Sequence, residues 1–231
     1  MSAYTDLSAL GARGDALIRG SAADALRGLD PATARAAAVL MLFGVLDDRP
    51  ADAGSTWAPA DLDVLLVERS RRLGHHPGQI AFPGGGVDAT DASVEAAALR
   101  EAREETGLDP AGVELLGTMP EVGVPVSGYR VTPVLGWWAT TSAITVVDRG
   151  ESERVFRAPV SDLLDPDRRV TAVVERGRLR HRSPAFLLDG DADAGDAGVV
   201  WGFTGLLLSG LFDQLGWTVP WDESRRIPAP L

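Results

Sequence analysis

Apolar residues along the chain recur at two spacings, and the switches between them lay out the elements. In the first thirty residues Leu7, Leu10, Ala16, Leu17 and Ile18 stand among small and charged neighbours and predict a helix packed against the main body. Residues 36–45 form a continuous apolar run bounded by Asp47 and Asp48, and residues 63–68 a second, so two buried strands are expected. Between them 47–61, rich in Asp, Pro, Ala and Gly, reads as an exposed excursion. Residues 69–86 turn basic and then rich in Gly and Pro, a loop with strand-like residues at 79–82. Helical spacing returns at 93–106, where Val94, Ala97, Ala98 and Ala102 form one stripe and Gly107 stands where a C-terminal glycine is expected. Strand-like runs follow at 113–119, 129–138, 143–147 and 154–159, then a hairpin from 170–174 and 185–188 joined through the charged stretch 175–182. A polar loop at 189–198, an amphipathic helix at 199–215 and an irregular surface segment at 220–231 complete the order. The succession of strands and turns predicts a mixed sheet.

Composition narrows what such a fold can do. The 231 residues suit one substantial core, and 45% hydrophobic with 24% charged residues is ordinary for a globular protein. There is no cysteine, so any metal must be held by carboxylate, imidazole or carbonyl groups, which favours Mg²⁺ or Mn²⁺. The first twenty residues lack a basic region followed by an apolar run, and no stretch approaches the roughly 18 apolar residues of a membrane span, so a cytoplasmic protein is expected. A net charge of −11, from 22 basic and 33 acidic residues, argues against non-specific nucleic-acid binding. A polyanionic small molecule would need local basic residues or a divalent cation to neutralise it.

Candidate chemistry gathers on the helix over 93–106. Glu101, Glu104 and Glu105 stand at i, i+3 and i+4, so their side chains share one face. Like charges at this spacing destabilise a helix by a few tenths of a kcal/mol per pair, and a hard divalent cation would relieve them. The plain alternative is a solvated acidic face balanced by Arg100 and Arg103. Immediately upstream, Phe82-Pro83-Gly84-Gly85-Gly86 would let backbone approach a ligand and turn a carbonyl toward a metal.

Gly85, Asp91 and the run Arg100-Glu101-Ala102-Arg103-Glu104-Glu105-Thr106-Gly107-Leu108 resemble the signature of the Nudix hydrolases. Asp91 stands where that signature has Glu, and eight residues rather than seven separate it from Arg100. The same extension occurs in the coenzyme A pyrophosphatase branch. That branch is also similar over Leu65-Leu66-Val67-Glu68-Arg69-Ser70, His76-Pro77-Gly78-Gln79-Ile80-Ala81-Phe82, Ser127-Gly128-Tyr129-Arg130, Val155-Phe156 and Trp201-Gly202-Phe203-Thr204. Val67 replaces its usual Thr, and Gly74 replaces an Arg suited to a substrate phosphate, a role Arg71 or Arg72 can take over.

The resemblance implies an α/β/α Nudix sandwich, with a mixed sheet between helices, over 36–219, an N-terminal helical extension over 1–35 and the tail over 220–231. It implies a Mg²⁺- or Mn²⁺-dependent enzyme that cuts the diphosphate bond of coenzyme A or its thioesters to 3′,5′-ADP and a 4′-phosphopantetheine product. Glu101 and Glu105 would be the main metal ligands, with Glu104 and the Gly85 carbonyl as further ones, and Arg100 would hold a glutamate in position. Glu105, Glu104 and Glu151 are the catalytic candidates, Glu153 competing with Glu151 as general base. Arg69, Arg72, His76 and Gly84 would bind substrate; His75 and Tyr129 are further candidates for phosphate and adenine. Members of the branch pair, so a homodimer is compatible with the resemblance. Two other readings stay open: hydrolysis of ADP-ribose or another nucleoside diphosphate derivative, and a non-catalytic regulator that keeps the fold to bind a ligand.

Overall fold

A computed structural model describes residues 2–15, 17, 29, 33–46, 56–74, 76–125, 127–176, 179–189 and 198–230, without the side chains of 176 and 179. The chain opens with helix α1, Ala3–Arg13, and continues into β1, Arg35–Val45, and β2, Leu62–Arg69. The very short strands β3, Ile80–Ala81, and β4, Gly84–Gly86, precede helix α2, Val94–Thr106. After it come β5, Val113–Thr118; β6, Val122–Val124; β7, Tyr129–Trp138; β8, Ser152–Pro159; and the single-turn helix α3, Val160–Leu164. The last third holds β9, Arg169–Arg176; β10, Leu179–Leu187; β11, Val199–Val200; helix α4, Gly202–Leu215; and β12, Arg226–Pro228.

Strands β1 to β8 form one mixed sheet with the path β3-β2-β1-β7-β5, in which β4 also pairs with β1, β6 with β7 and β8 with β2. At its centre β1 and β7 run parallel, with Arg35 opposite Tyr129 and Phe43 opposite Trp137. Alternation along the central strands divides the core. Ala38, Leu40 and Leu42 of β1, Leu65 of β2 and Val134 and Trp138 of β7 face the alanine stripe of α2. Met41, Phe43, Val64, Leu66, Leu135 and Trp137 point the other way, toward Leu7 and Leu10 of α1, Leu163 of α3 and Leu207 and Leu211 of α4. Helices thus cover both faces of the sheet, as expected of an α/β/α sandwich.

Strands β9 to β12 make a second, four-stranded sheet in the order β11-β10-β9-β12. The hairpin expected at 170–188 is there, but the charged stretch 175–182 is largely strand rather than connection: Glu175 pairs with Arg180 and Val174 with His181. The tail is not irregular throughout, because Arg226, Ile227 and Pro228 pair parallel with Thr171, Ala172 and Val173 of β9. Residues 143–147, expected as a strand, pair with none. Thr145 instead donates its N–H to the Thr106 carbonyl (2.9 Å), so the segment seals the C-terminal end of α2, with Ile144 half-buried against the cluster beneath that helix and Val147 exposed. The expectations for Ala16, Ile18, most of the excursion over 47–61 and most of the loop over 189–198 fall outside the described residues. Among those described, no helix is long and apolar enough to cross a membrane.

Candidate active site

Helix α2 is fixed in register at both ends. Ser93 caps its start by accepting the Ala96 N–H at 3.2 Å, and Gly107, at φ 70°, ends it by donating its N–H to the Arg103 carbonyl. Ala97, Ala98 and Ala102 are fully buried, and their small side chains bring the helix close to β1 and β4. Strand β4 is held against β1, with Gly84 opposite Val39 and Gly85 opposite Ala38. A Cβ on Gly84 would lie 2.3 Å from the Ala38 carbonyl oxygen, and one on Gly85 would lie 2.6 Å from the carboxylate atoms of Glu101. Only bare backbone lets the strand lie under the acidic face of α2.

The three glutamates part there. Glu105 is 7% exposed, and one of its oxygens accepts the Gly84 N–H at 3.0 Å. Glu101 is partly buried over Gly85, and Glu104 is exposed. Arg100 ties this face to the loop before the helix. Its Nε and Nη2 bond the two oxygens of Asp91 at 2.9 and 3.0 Å, Nη2 also reaches the Gly86 carbonyl at 2.9 Å, and Nη1 donates to Glu101 at 3.0 Å and Glu104 at 2.9 Å. Asp91, with its side chain 6% exposed, also accepts the Asp88 N–H at 2.8 Å. The longer spacing between Asp91 and Arg100 leaves helix α2 unbroken from Val94 to Thr106.

The loop after β2 approaches from the other side. A register shift between Glu68 and Arg69 interrupts the pairing of β2 with β8 before its last pair, Arg69 opposite Ser152, an irregularity of the kind that re-aims side chains beside sites. Arg69 lies near enough to Glu105 for its charge to favour that carboxylate, and its buried Nε has no hydrogen-bond partner. Glu151 also acts on Glu105 through its charge and is exposed; its carbonyl accepts the Ser70 N–H at 2.8 Å. Glu153 accepts the Arg71 N–H at 3.3 Å. His76, at φ 55°, is turned into the loop with Nδ1 3.0 Å from Gln79 Oε1. Arg72 is exposed, Gly74 has open space around it, and His75 lies outside the described residues. Tyr129 has the Arg35 guanidinium over its ring at 4.1 Å.

Electrostatics bear on whether a divalent cation suits these residues. Burial pushes the Glu105 carboxyl up to about 7; the Gly84 N–H and Arg69 oppose this, while Glu101 and Glu151 add to it. Burial raises Glu101 as well, against the pull of Arg100. Two carboxylates whose burial outweighs the pull of Arg69 and Arg100, beside a backbone that a side chain would block, are hard oxygen donors that fit a hard divalent ion. Among the described residues no three carboxylate or imidazole side chains form a ready-made cage, and Glu104 is exposed and bonded to Arg100. The residues that fit are Glu101, Glu105 and the backbone of Gly85.

Sequence spacing thus put the glutamates on one helix face, and the structure separates Glu104 from the other two. Asp91, in the sequence only a departure from the signature, is the two-oxygen partner of Arg100 in the structure, and an acid shortly before the helix is all the sequence offers toward that pairing. The Gly86 carbonyl and the Gly84 N–H could not be read from side chains at all.

A family model described as NUDIX domain matches residues 53–172. A protein named Uncharacterized Nudix hydrolase NudL from Shigella boydii serotype 4 (strain Sb227) is 59% identical over 73 residues, covering 32% of this chain and 38% of that protein. One of the same name from Escherichia coli O157:H7 (strain EC4115 / EHEC) matches with the same identity and coverage. The match therefore spans under two fifths of these curated relatives' length. Among solved structures, the NUDIX domain of Shewanella oneidensis NrtR complexed with ADP ribose is 25% identical, covering 63% of this chain and 87% of that one with a TM-score of 0.42. The family model takes in 120 of the 231 residues, including β4, α2 and the Arg100 cluster, and the chain belongs to the NUDIX family.

Proposed function

We propose that the chain is a metal-dependent pyrophosphohydrolase that cuts the diphosphate bond of coenzyme A or its thioesters, releasing 3′,5′-ADP and 4′-phosphopantetheine or its acyl form. The observation that carries the hydrolase reading is the pair of buried Glu105 and partly buried Glu101, set against the glycine strand β4 and braced by Arg100 and Asp91. A solvated acidic face would leave these carboxylates in water, and a regulator without catalysis would have no use for burying them together.

Glu101, Glu105 and the Gly85 carbonyl would hold Mg²⁺ or Mn²⁺, which when bound neutralises diphosphate charge and lowers the pKa of a water. The chain's own groups do the rest. Arg69, whose positive charge already acts on Glu105, would draw the diphosphate to this end of the site, with Arg72 and His76 in the loop that follows it. Water attacks one phosphorus, the bridging P–O bond breaks, the departing phosphate keeps the electron pair, and a carboxylate takes the water's proton. Glu104 is tied to Arg100 and Glu153 to the Arg71 N–H. Glu151, exposed yet electrostatically coupled to Glu105, is the base this leaves.

Support for coenzyme A rests on the extended loop carrying Asp91 and on the sequence 65–85. Purified protein with Mn²⁺ would be given coenzyme A, ADP-ribose, NADH and dinucleoside polyphosphates, with products resolved by ion exchange. Turnover of coenzyme A above the others is expected. Cleavage of ADP-ribose alone would move the substrate to the second reading, with Gly74 in place of an arginine as its basis, and no cleavage of any would leave the regulator.

A further inference from the structure

The segment between β7 and β8 carries the proposed base, Glu151, and it is tied down at two places beside the site. Near its middle the Thr145 N–H donates to the carbonyl of Thr106, the residue after Glu105, and a Cβ on Gly107 would lie 3.6 Å from Thr145 and 3.8 Å from Val147. At its end the Glu151 carbonyl accepts the N–H of Ser70, the fully buried residue after Arg69. The segment thus runs from the end of the glutamate helix to the start of the arginine loop. Arg69 opposite Ser152, and the Arg71 N–H on Glu153, continue the same seam.

Between the two ties the chain turns, and Asp148 makes the turn. Its carbonyl accepts the N–H groups of Glu151 at 3.1 Å and Ser152 at 2.9 Å, while its Oδ1 accepts the Gly150 N–H at 2.6 Å. A side-chain oxygen bonded to the N–H two residues on copies a backbone turn and holds its first peptide in place. A Cβ on Gly150 would come to 3.0 Å from that oxygen, so the bare residue leaves the carboxylate room. Glu151 is exposed, so packing does not hold its side chain and the backbone beneath must. Resting on the reading of Glu151 as base, we propose that Asp148 is its positioning residue: the carboxylate, bonded to Gly150, fixes the turn that presents Glu151 to the site. A base has to stand within hydrogen-bond reach of the proton it takes, and a displacement of about 1 Å can lower a rate by up to roughly a hundredfold.

The test is a double-mutant cycle between Asp148 and Glu151, read by steady-state rates on the diphosphate substrates named above and by amide hydrogen exchange of the metal-free chain. In Asp148→Ala, exchange at the Gly150 N–H should quicken about tenfold. Its kcat should fall about tenfold, with KM and Tm close to native, since Asp148 is exposed. Asp148→Asn, whose side-chain carbonyl can accept the same N–H, should restore both. Glu151→Gln alone should lose about a hundredfold in kcat, and adding Asp148→Ala to it should lower the rate no further, because no base is left to misplace. A native kcat or native exchange in Asp148→Ala, or an equal further loss on top of Glu151→Gln, would overturn the positioning role and leave the base standing. A native kcat in Glu151→Gln, or a native chain that cleaves none of the substrates, would sink the base and this proposal together.

Discussion

Gly84 and Gly85 are neighbours in one short strand, yet the same substitution at each should fail in different ways. At Gly84 the added Cβ would meet the Ala38 carbonyl oxygen at 2.3 Å and the Val39 Cα at 2.7 Å, both backbone, and φ is 158°. Neither neighbour can give without separating β4 from β1, so Gly84→Ala should lose on the order of 3 kcal/mol of stability, or roughly 6–12 °C in Tm for a domain of this size. At Gly85 the obstacles, at 2.6 Å, are the carboxylate atoms of Glu101, the free end of a flexible side chain. Glu101 can swing away, losing its bond to Arg100, and alanine suits a strand better than glycine, so Gly85→Ala should change stability by no more than about 1 kcal/mol. What it removes is the placement of Glu101. Mn²⁺ affinity and kcat/KM should then fall by about a hundredfold, the upper end of what losing a supporting contact costs a metal site. Thermal unfolding of the metal-free proteins, Mn²⁺ titration and steady-state rates make the comparison. Gly85→Ala with normal affinity and rate, or with a Tm as low as that of Gly84→Ala, would refute the placement of Glu101 over Gly85 as the purpose of that glycine.

Three further outcomes are expected. A carboxyl with an ordinary value of 4.5 raised to about 7 by burial binds its proton more tightly folded than unfolded, so Glu105 favours the metal-free fold below pH 4.5 and that contribution is lost as pH rises through 7. Urea unfolding without metal should show a loss of roughly 3 kcal/mol across that window, flattened in Glu105→Gln; equal slopes in the two proteins would contradict it. Asp91→Ala removes the main partner of Arg100, and kcat/KM should drop about tenfold with a lower Tm, whereas an unchanged rate would make the Arg100 cluster merely structural. Arg69→Ala removes the positive charge that acts on Glu105 and should raise KM; an unchanged KM in the coenzyme A assay would remove Arg69 from the substrate site.

Helix α2 was legible because its signals are local and agree: an alanine stripe at helical spacing, a serine before it and a glycine after it. The central strands β1 and β7 were equally plain, being long apolar runs that could only be buried. Strands β4, β6 and β12 could not be read so, since three residues show no period and exist only where a neighbour pairs with them; for β4 the sequence offers three glycines, which read as a turn. Residues 143–147 have the composition of a strand but pair with none, and Thr145 bonds the Thr106 carbonyl at the end of α2 instead, a contact that only the tertiary structure sets. The glutamates on one face followed from helical geometry, but the division between buried Glu105 and exposed Glu104 depends on where β4 and Arg100 lie.

The central claim is that Glu101 and Glu105 hold a divalent cation and make this chain a diphosphate hydrolase. Its most direct measurement is the Mn²⁺-dependent release of 3′,5′-ADP from coenzyme A by the native chain and by Glu105→Gln, each first verified as folded by circular dichroism. Release by the native chain that stops on chelation, and a rate in Glu105→Gln lower by three orders of magnitude or about that, is the expected result; equal rates in the two proteins, or release that ignores the chelator, would contradict the account.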